Sequence, residues 1–227
     1  MQKKTKKRFW CAGIMGILFA VFTCLVAAVD VQPIGPEGSL VGFASVNRCV
    51  FAWNGMHSVW YEITEILGIA ALFPVLGFGL LGLYQLVTRK SIRKVDGSLL
   101  VLGGVYGLLV MVYLFFELVV INCRPVLMEG QLEASYPSSH VMLIVCAAVT
   151  SVMELRRRWP GKVGRWVDIA AAIVVVAAVF GRLFSGVHWL TDILGGVLVA
   201  AALVALYSAG VHYIEERGAN KESGLGG

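Results

Sequence analysis

The sequence predicts an all-α polytopic membrane protein, a bundle of six transmembrane helices with both termini in the cytoplasm. Composition is the first observation behind this prediction. Of the 227 residues, 58% are hydrophobic and only 15% are charged, and the mean hydropathy is +0.80. A soluble domain is usually about 45–50% apolar and about 25% charged. This balance excludes a soluble globular protein, a disordered chain and a disulfide scaffold.

The number of apolar runs is the second observation. A helix that spans a bilayer needs roughly 20 apolar residues, and a helix is expected because an isolated span must hydrogen-bond its own backbone. Six runs approach or exceed this length, at residues 9–29, 66–87, 99–120, 141–155, 169–184 and 193–213. The second run has an amphipathic lead-in from Trp60. The fourth and fifth runs are short, which predicts that their ends are buried in protein or line a polar cavity.

The distribution of Lys and Arg is the third observation. All of them except Arg48, Arg124 and Arg182 fall in four clusters, before the first run and after the second, fourth and sixth runs. Because positively charged loops stay in the cytoplasm, both termini are predicted to lie inside and the three exceptions outside. Charge that is divided among short loops does not form the single basic face of a nucleic-acid-binding protein, so no nucleic-acid partner is expected.

Polar residues are scarce at the outer ends of the predicted helices, and those present form a candidate site. They are Arg124, Ser138, Ser139, His140, Arg182, His188 and Asp192. Charged groups near a membrane are costly and therefore point to function. Ordinary roles exist for single members, such as a pair between Arg182 and Asp192 or a helix cap at His140. Their occurrence together on one side of one membrane favours a functional site, with Asn122 as a polar neighbour of Arg124.

The chemistry that these residue types favour is phosphoryl transfer. Two arginines can clamp phosphate oxygens, and a helix that opens at residues 137–139 presents free backbone N–H groups to an anion. His188 and Asp192 are four residues apart and would share a helix face. The aspartate would fix the tautomer of His188 as nucleophile, and His140 would serve as the general acid. Arginines and amides would stabilise the transition state, so neither a metal nor a cofactor is required.

Three segments resemble the signature of the type 2 phosphatidic acid phosphatase superfamily over about residues 60–213. The family pattern is K-x6-R-P, then P-S-G-H, then S-R-x5-H-x3-D. The matching segments here are Arg124-Pro125, Pro137-Ser138-Ser139-His140 and Arg182-x5-His188-x3-Asp192. The family includes lipid phosphatases, isoprenyl diphosphate phosphatases and vanadium haloperoxidases.

The resemblance implies a role for each matching residue. His188 would form a phosphohistidine, Asp192 would orient it, and His140 would protonate the leaving group. The phosphate would be held by Arg124, Arg182, Ser138 and the backbone near Ser139.

Three residues depart from the family pattern. Ser139 replaces a glycine, Gly181 replaces a serine and so removes one hydroxyl, and Glu117 stands where the family has a phosphate-binding lysine. Glu117 and Arg124 are seven residues apart, almost two turns, and share a face if the helix continues. Three hypotheses are open for Glu117. It pairs with Arg124, it binds a cationic part of the substrate or a metal held by a diphosphate, or it impairs the site.

The resulting functional prediction is a metal-independent phosphatase of the bacterial cytoplasmic membrane. It would hydrolyse a lipid phosphate or diphosphate at the outer leaflet through a phosphohistidine. Undecaprenyl diphosphate, phosphatidylglycerol phosphate and phosphatidic acid are candidate substrates. A phosphotransferase that uses the same histidine and a non-catalytic lipid-binding or transport protein are the alternatives.

The chain is divided into four segments by these patterns. They are an N-terminal anchor helix at 1–29, an outer loop at 30–59, a catalytic five-helix part at 60–213 and a flexible cytoplasmic tail at 214–227. The first run is longer than the roughly 7–15 residues of a signal-peptide core, which favours an uncleaved anchor.

The remaining outer residues receive simpler interpretations. Glu62 and Glu65 are interpreted as favourable charge at a helix N-terminus, with a polar rim near the substrate headgroup as the alternative. Glu133 is expected to be solvated. A disulfide between Cys49 and Cys123 is left open, and no C-x-x-C pair supports a zinc or redox site.

Overall fold

The computed structural model describes residues 2–161 and 164–224. These residues contain seven α-helices. They are α1 (Lys3–Ala28), α2 (Ala44–Asn54), α3 (Ser58–Arg89), α4 (Gly97–Leu118), α5 (Ser139–Arg158), α6 (Arg165–Ser185) and α7 (Leu190–Gly224). All except α2 are long and apolar enough to cross a membrane. The prediction of an all-helical bundle with six spans is therefore confirmed.

Two elements differ from the sequence-based division. Helix α2 lies inside the segment predicted as an outer loop; it is short, and it buries only Ala44 and Asn47, so it gave no signal of a span. Helix α7 continues past the predicted end of the sixth span to Gly224, and residues 225–227 of the predicted tail lie outside the described residues. Cys49 and Cys123 are free thiols.

Helices α5 and α7 form the centre of the bundle. Helix α7 packs against α1, α5 and α4, while α5 also packs against α6 and α3. Half of the most apolar stretch of α5 is buried inside the protein, compared with 6% of the corresponding stretches of α1 and α3. The short fourth run is thus enclosed by protein, as its length predicted. The core between these helices includes Leu102, Met142, Ile193 and Tyr207.

A close approach between α7 and the start of α5 shapes the end of the bundle that carries the predicted site residues. A Cβ atom on Gly196 would lie 2.9 Å from the carbonyl oxygen of Ser138 and 3.1 Å from Cβ of Val141. Only glycine allows this approach without a shift of one helix. The contact brings the first turn of α7, which carries Asp192, beside the first turn of α5, which carries His140.

A polar network holds the opposite end of the bundle together. Glu154 of α5 is fully buried; it accepts a hydrogen bond from Ser98 Oγ at 2.8 Å and pairs with Arg158 at 2.8 Å. Arg158 also reaches Asp96, 3.0 Å away, and Gln85 Nε2 donates to Asp96 at 2.8 Å. The network links α3, α4 and α5, so the buried carboxylate of Glu154 has compensating partners.

Candidate active site

A cavity of about 580 Å³ lies where α4, α5, the loop before α5 and the segment between α6 and α7 meet. Four of the predicted site residues line it, namely Arg124, Ser139, His140 and His188, and Glu117 lines it as well. Arg182 and Ser138, both fully buried, adjoin these lining residues. The three segments of the sequence signature therefore meet at one place.

His188 and Asp192 form a carboxylate–histidine pair. His188 lies in the short segment between α6 and α7, just before α7 begins, and it is only 3% exposed. Its Nδ1 atom is 3.7 Å from Oδ2 of Asp192, which is beyond hydrogen-bond length. Catalytic hydrogen bonds are often long in the absence of substrate and tighten when it binds. Nδ1 faces the carboxylate, so Nε2 is the atom left for a ligand. Within the described residues neither ring nitrogen has a partner at hydrogen-bonding geometry.

Asp192 is itself held by two donors. Asn122 Nδ2 donates to Oδ1 at 2.9 Å, and the backbone N–H of Trp189 donates to Oδ2 at 3.0 Å. The sequence identified Asn122 as a neighbour of Arg124; the structure places its side chain on Asp192 instead. Because the aspartate is fully buried and its oxygens are fixed, its direction toward His188 is fixed too.

The charge state of His188 follows from its surroundings. Burial lowers the pKa of His188 well below the ordinary value of 6.5, and the nearby Arg124 and Arg182 cations lower it further. A neutral imidazole has a free lone pair, which is what a nucleophile requires. A neutral His188 therefore fits the role of nucleophile that the sequence predicts for it.

Arg182 is fixed by three partners beneath the cavity. Its Nη1 donates to Thr64 Oγ1 at 3.0 Å, and its Nη2 donates to Nδ1 of His140 at 2.8 Å. The same Nη2 lies 3.0 Å from Oε1 of Glu65. Arg182 therefore pairs with Glu65. The pair between Arg182 and Asp192, which the sequence left open as an ordinary structural role, is not formed.

Arg124 is held by the loop that precedes α5. Its backbone N–H donates to the carbonyl oxygen of Glu133 at 3.0 Å, and its Nε lies 3.0 Å from Oε2 of the Glu133 side chain. The expectation that Glu133 is solvated was incomplete, since this carboxylate is 47% exposed yet also pairs with Arg124. Nη1 of Arg124 is buried without a hydrogen-bond partner among the described residues.

Ser138 and Ser139 mark the start of α5. The backbone N–H of Ser138 donates to the carbonyl oxygen of Asp192 at 3.0 Å, which ties this start to α7. The Ser138 side chain makes no capping bond, and its hydroxyl is buried without a partner in the described part of the chain. The first N–H groups of the helix have no intrahelical acceptor.

Several buried donors at this cavity thus lack an acceptor. Within the described chain they belong to Arg124, Ser138 and Arg182. Each buried polar group that stays unpaired costs about 1–3 kcal/mol, so the arrangement is suited to a ligand with several acceptor oxygens. A phosphate group has that character, and arginine forks and helix N-termini are its usual partners.

The structure also places two of the departures from the family pattern. A Cβ atom on Gly181 would lie 2.7 Å from Cγ2 of Thr64 and 3.2 Å from Cε3 of Trp60. Thr64 therefore fills the space of the missing serine side chain, and its own hydroxyl serves Arg182. Glu117 is exposed beside the Tyr113 hydroxyl.

One hypothesis for Glu117 does not hold in this structure. Among the described residues, the carboxylate that pairs with Arg124 is Glu133, not Glu117. Binding to a cationic group and impairment of the site remain as hypotheses for Glu117.

Sequence reasoning missed Thr64, and it named Glu65 only as helix-terminal charge or, alternatively, as part of a polar rim near the substrate headgroup. Both lie in the first turns of α3 and contact Arg182, which is 118 positions away from Thr64. The sequence offered only one weak signal, the polar pair Glu62 and Glu65 at the start of an otherwise apolar helix. Nothing in the pattern connected that pair to Arg182.

Comparisons with known proteins agree with this geometry. A family model described as the PAP2 superfamily matches residues 98–216. The fold is similar to a crystal structure of the first transmembrane PAP2-type phosphatidylglycerolphosphate phosphatase from Bacillus subtilis, with a TM-score of 0.62 and 19% sequence identity. That match covers 91% of this chain and 97% of the other chain, and at this identity it shows the fold alone. A search of curated proteins finds no match.

Proposed function

The chain belongs to the PAP2 superfamily, as the three sequence segments predicted, and we propose that it is a membrane phosphatase that hydrolyses a lipid phosphate or diphosphate at the outer leaflet through a phosphohistidine. The family and the fold support a lipid phosphatase in general. The observation that carries the finer proposal is the group of unpaired buried donors beside Nε2 of His188.

The proposed first step is transfer of the phosphoryl group to the enzyme. Nε2 of His188 attacks phosphorus while the bond between phosphorus and the leaving oxygen breaks, and His140 gives that oxygen a proton. Asp192 stabilises the positive charge that develops on the His188 ring. Arg124 and Arg182 neutralise the charge on the phosphoryl oxygens.

Hydrolysis of the phosphohistidine completes the cycle. A water molecule attacks phosphorus on the side that the leaving group vacated, and His140 takes a proton from that water. The bond between phosphorus and Nε2 breaks, inorganic phosphate leaves, and His188 returns to its neutral form. No step requires a metal ion, so we expect activity without added divalent cations.

The proposed location follows from the distribution of charge. The described Lys and Arg residues of the four clusters lie at the helix ends away from those that carry the candidate site. By the positive-inside rule this distribution supports a site on the outer face of a bacterial cytoplasmic membrane. The site sits at the end of the spans, where lipid headgroups are found. Undecaprenyl diphosphate, phosphatidylglycerol phosphate and phosphatidic acid are the candidate substrates.

The test is phosphate release by the purified protein in detergent, with these three lipids, with and without EDTA. We expect metal-independent release from at least one lipid, and loss of release in His188→Ala. His57→Ala is the matched control, because the His57 ring is exposed and hydrogen-bonds to the nearby Asn54 carbonyl, away from the candidate site residues. Absence of release from every lipid would contradict the proposal.

The same assay separates the two alternative functions. A phosphotransferase would consume the lipid phosphate only when an acceptor is present, and inorganic phosphate would not accumulate. A non-catalytic lipid-binding or transport protein would keep its function in His188→Ala.

A further inference from the structure

Glu65 of α3 contacts both Arg182, which is proposed to hold the phosphate, and His140, the proposed general acid. Its Oε1 atom lies 3.0 Å from Nη2 of Arg182 and 3.2 Å from Nε2 of His140. Glu65 is partly exposed, with 35% of its side chain accessible, whereas the Arg182 side chain is almost fully buried. One carboxylate oxygen thus serves two groups that come from α5 and α6. The family pattern stated above assigns no residue to this position.

The hydrogen bonds fix the tautomer of His140. A guanidinium group can only donate, so Nδ1 of His140, which receives the hydrogen bond from Arg182 at 2.8 Å, carries no proton in this arrangement. The ring proton must then lie on Nε2, which is the atom beside Glu65. Glu65 and His140 therefore form a carboxylate–histidine pair, like Asp192 and His188, with Nδ1 directed to the arginine.

Helix α3 is also shaped to receive the His140 ring. Gly68 lies one turn after Glu65, and a Cβ atom on it would be 2.7 Å from Cδ2 of His140. Glu65 and Gly68 share a helix face because they are three residues apart. The same face therefore supplies both the carboxylate and the space for the imidazole.

Glu65 differs in charge from most of the groups around His140. The charged and titratable groups that face His140 or line the same cavity are Glu65, Tyr113, Glu117, Arg124, Arg182 and His188. The two arginines oppose a positive imidazolium. Glu65 is the carboxylate in ion-pair contact with the ring among the described residues, and such a contact favours the protonated form that an acid needs.

We propose that Glu65 is a positioning residue that acts through His140, orienting this acid by its contact with Nε2 and stabilising its protonated form. The inference rests on the proposed phosphatase function. When substrate binds, Arg182 turns its Nη2 from Nδ1 to the phosphoryl oxygens, and Nδ1 takes up a proton from solvent. That proton passes to the leaving oxygen as its bond to phosphorus breaks. The attacking water later returns a proton to Nδ1.

The test uses two substrates that differ in their need for an acid. An alkyl phosphate such as lysophosphatidic acid has a poor leaving group, whereas p-nitrophenyl phosphate releases a stable anion without protonation. In Glu65→Gln, we expect kcat for lysophosphatidic acid to fall about 10-fold to 100-fold, a part of the 10²–10⁴-fold typical of general acids. On p-nitrophenyl phosphate we expect a fall of less than about threefold, since acid catalysis contributes little there.

The pH profile gives a second readout that a structural role would not move. Loss of the carboxylate removes the stabilisation of protonated His140, so the alkaline limb of kcat on lysophosphatidic acid should move to lower pH by about one unit. Glu62→Gln is the matched control, because Glu62 is one turn away on α3 and exposed.

Each outcome has a defined meaning. Equal losses on both substrates, with an unmoved alkaline limb, would overturn the role of Glu65 while leaving the phosphatase function intact. If the wild-type protein releases phosphate neither from lysophosphatidic acid nor from any of the three candidate lipids, or if His188→Ala retains activity, the proposed function itself fails. Size-exclusion chromatography and thermal unfolding in detergent establish that each variant is folded.

Discussion

Nδ1 of His188 lies 3.7 Å from Oδ2 of Asp192, while the same aspartate is hydrogen-bonded by Asn122 and by the backbone of Trp189. The protein therefore fixes the Asp192 carboxylate, and a shorter contact between the two residues requires a movement of the His188 ring. In carboxylate–histidine pairs this interaction selects the tautomer and stabilises the charged ring. It makes Asp192 a target for the first prediction.

Asp192→Asn should leave the protein folded but lower kcat for phosphate release by at least about 100-fold, because an amide does not stabilise the charged His188 ring. The amide also matches the carboxylate in size, so packing is kept. Asp168→Asn is the control, since Asp168 lies at the other end of α6 and pairs with Arg156. Single-turnover phosphate release measures both variants, and activity of Asp192→Asn near the wild-type level would exclude the proposed role.

The pH dependence of the free enzyme should show a low acid limit. The pKa of His188 is lowered well below 6.5 by burial, Arg124 and Arg182, so the proposed nucleophile stays unprotonated as the pH falls below 6.5. The acid limb of kcat/KM, which reports groups of the free enzyme, should therefore lie below that pH. A limb at or above pH 6.5 would show that His188 is solvated in the working enzyme.

The same shift has a consequence for stability. Below about pH 6.5 the unfolded chain binds a proton at His188 that the folded chain does not bind, so the free energy of unfolding falls as the pH falls. His188→Gln removes this difference. We expect the loss of melting temperature in detergent between pH 7 and pH 5 to be smaller in His188→Gln than in the wild-type protein.

Asp96 should stabilise the opposite end of the bundle in a different pH window. Its pKa is lowered to about 2, chiefly by the hydrogen bond from Gln85 and also by Arg89 and Arg158. A lowered pKa means stability that is present above the ordinary value of 3.8 and is lost as the pH falls toward 2. Asp96→Asn should have a lower melting temperature than wild type at pH 7, and the two curves should converge toward pH 2. A difference that does not change with pH would assign the effect to packing.

Glu117→Lys tests the departure from the family lysine. Glu117 is exposed at the cavity and does not pair with Arg124, whose partner is Glu133. Reversal of this charge should attract a phosphate and raise kcat/KM on phosphatidic acid several-fold, with a gain that shrinks at high salt. Glu129→Lys, in the exposed loop before α5, controls for net charge. A fall in kcat/KM would instead show that Glu117 binds part of the natural substrate.

The six spans were predictable because each depends on a local property, a run of apolar residues of membrane length. Helix α2 was not predictable in this way. It is 11 residues long, and its contribution depends on a distant partner, since Asn47 Nδ2 donates to Thr191 Oγ1 at 2.9 Å.

The residues of the candidate site likewise divide into those that a local sequence pattern reveals and those that only tertiary contacts reveal. His140, His188 and Asp192 belong to spaced motifs that the chain itself displays. Glu65 does not, because its importance comes from the packing of α3 against α5 and α6. Tertiary contacts of this kind join positions far apart in sequence, and no periodicity or spacing within one segment encodes them.

Gly68→Ala tests sterically whether the space that Gly68 leaves for the His140 ring is needed. The new Cβ atom would lie 2.7 Å from Cδ2 of His140, which is closer than nonbonded carbon atoms pack, at about 3.5–4.0 Å. The ring must move away from α3 and from Glu65. We expect kcat on lysophosphatidic acid to fall about tenfold, because general acids act only from a well-defined position.

Gly79→Ala is the matched control for this prediction. Gly79 lies on the same helix, and a Cβ atom there meets nothing within 4 Å, so the substitution has the same effect on helix propensity without a clash. Phosphate release from lysophosphatidic acid and p-nitrophenyl phosphate measures both variants. If displacement of His140 is the cause, the loss in Gly68→Ala is confined to lysophosphatidic acid. Equal losses of kcat in the two glycine variants would assign the effect to a change in α3 itself and not to displacement of the His140 ring.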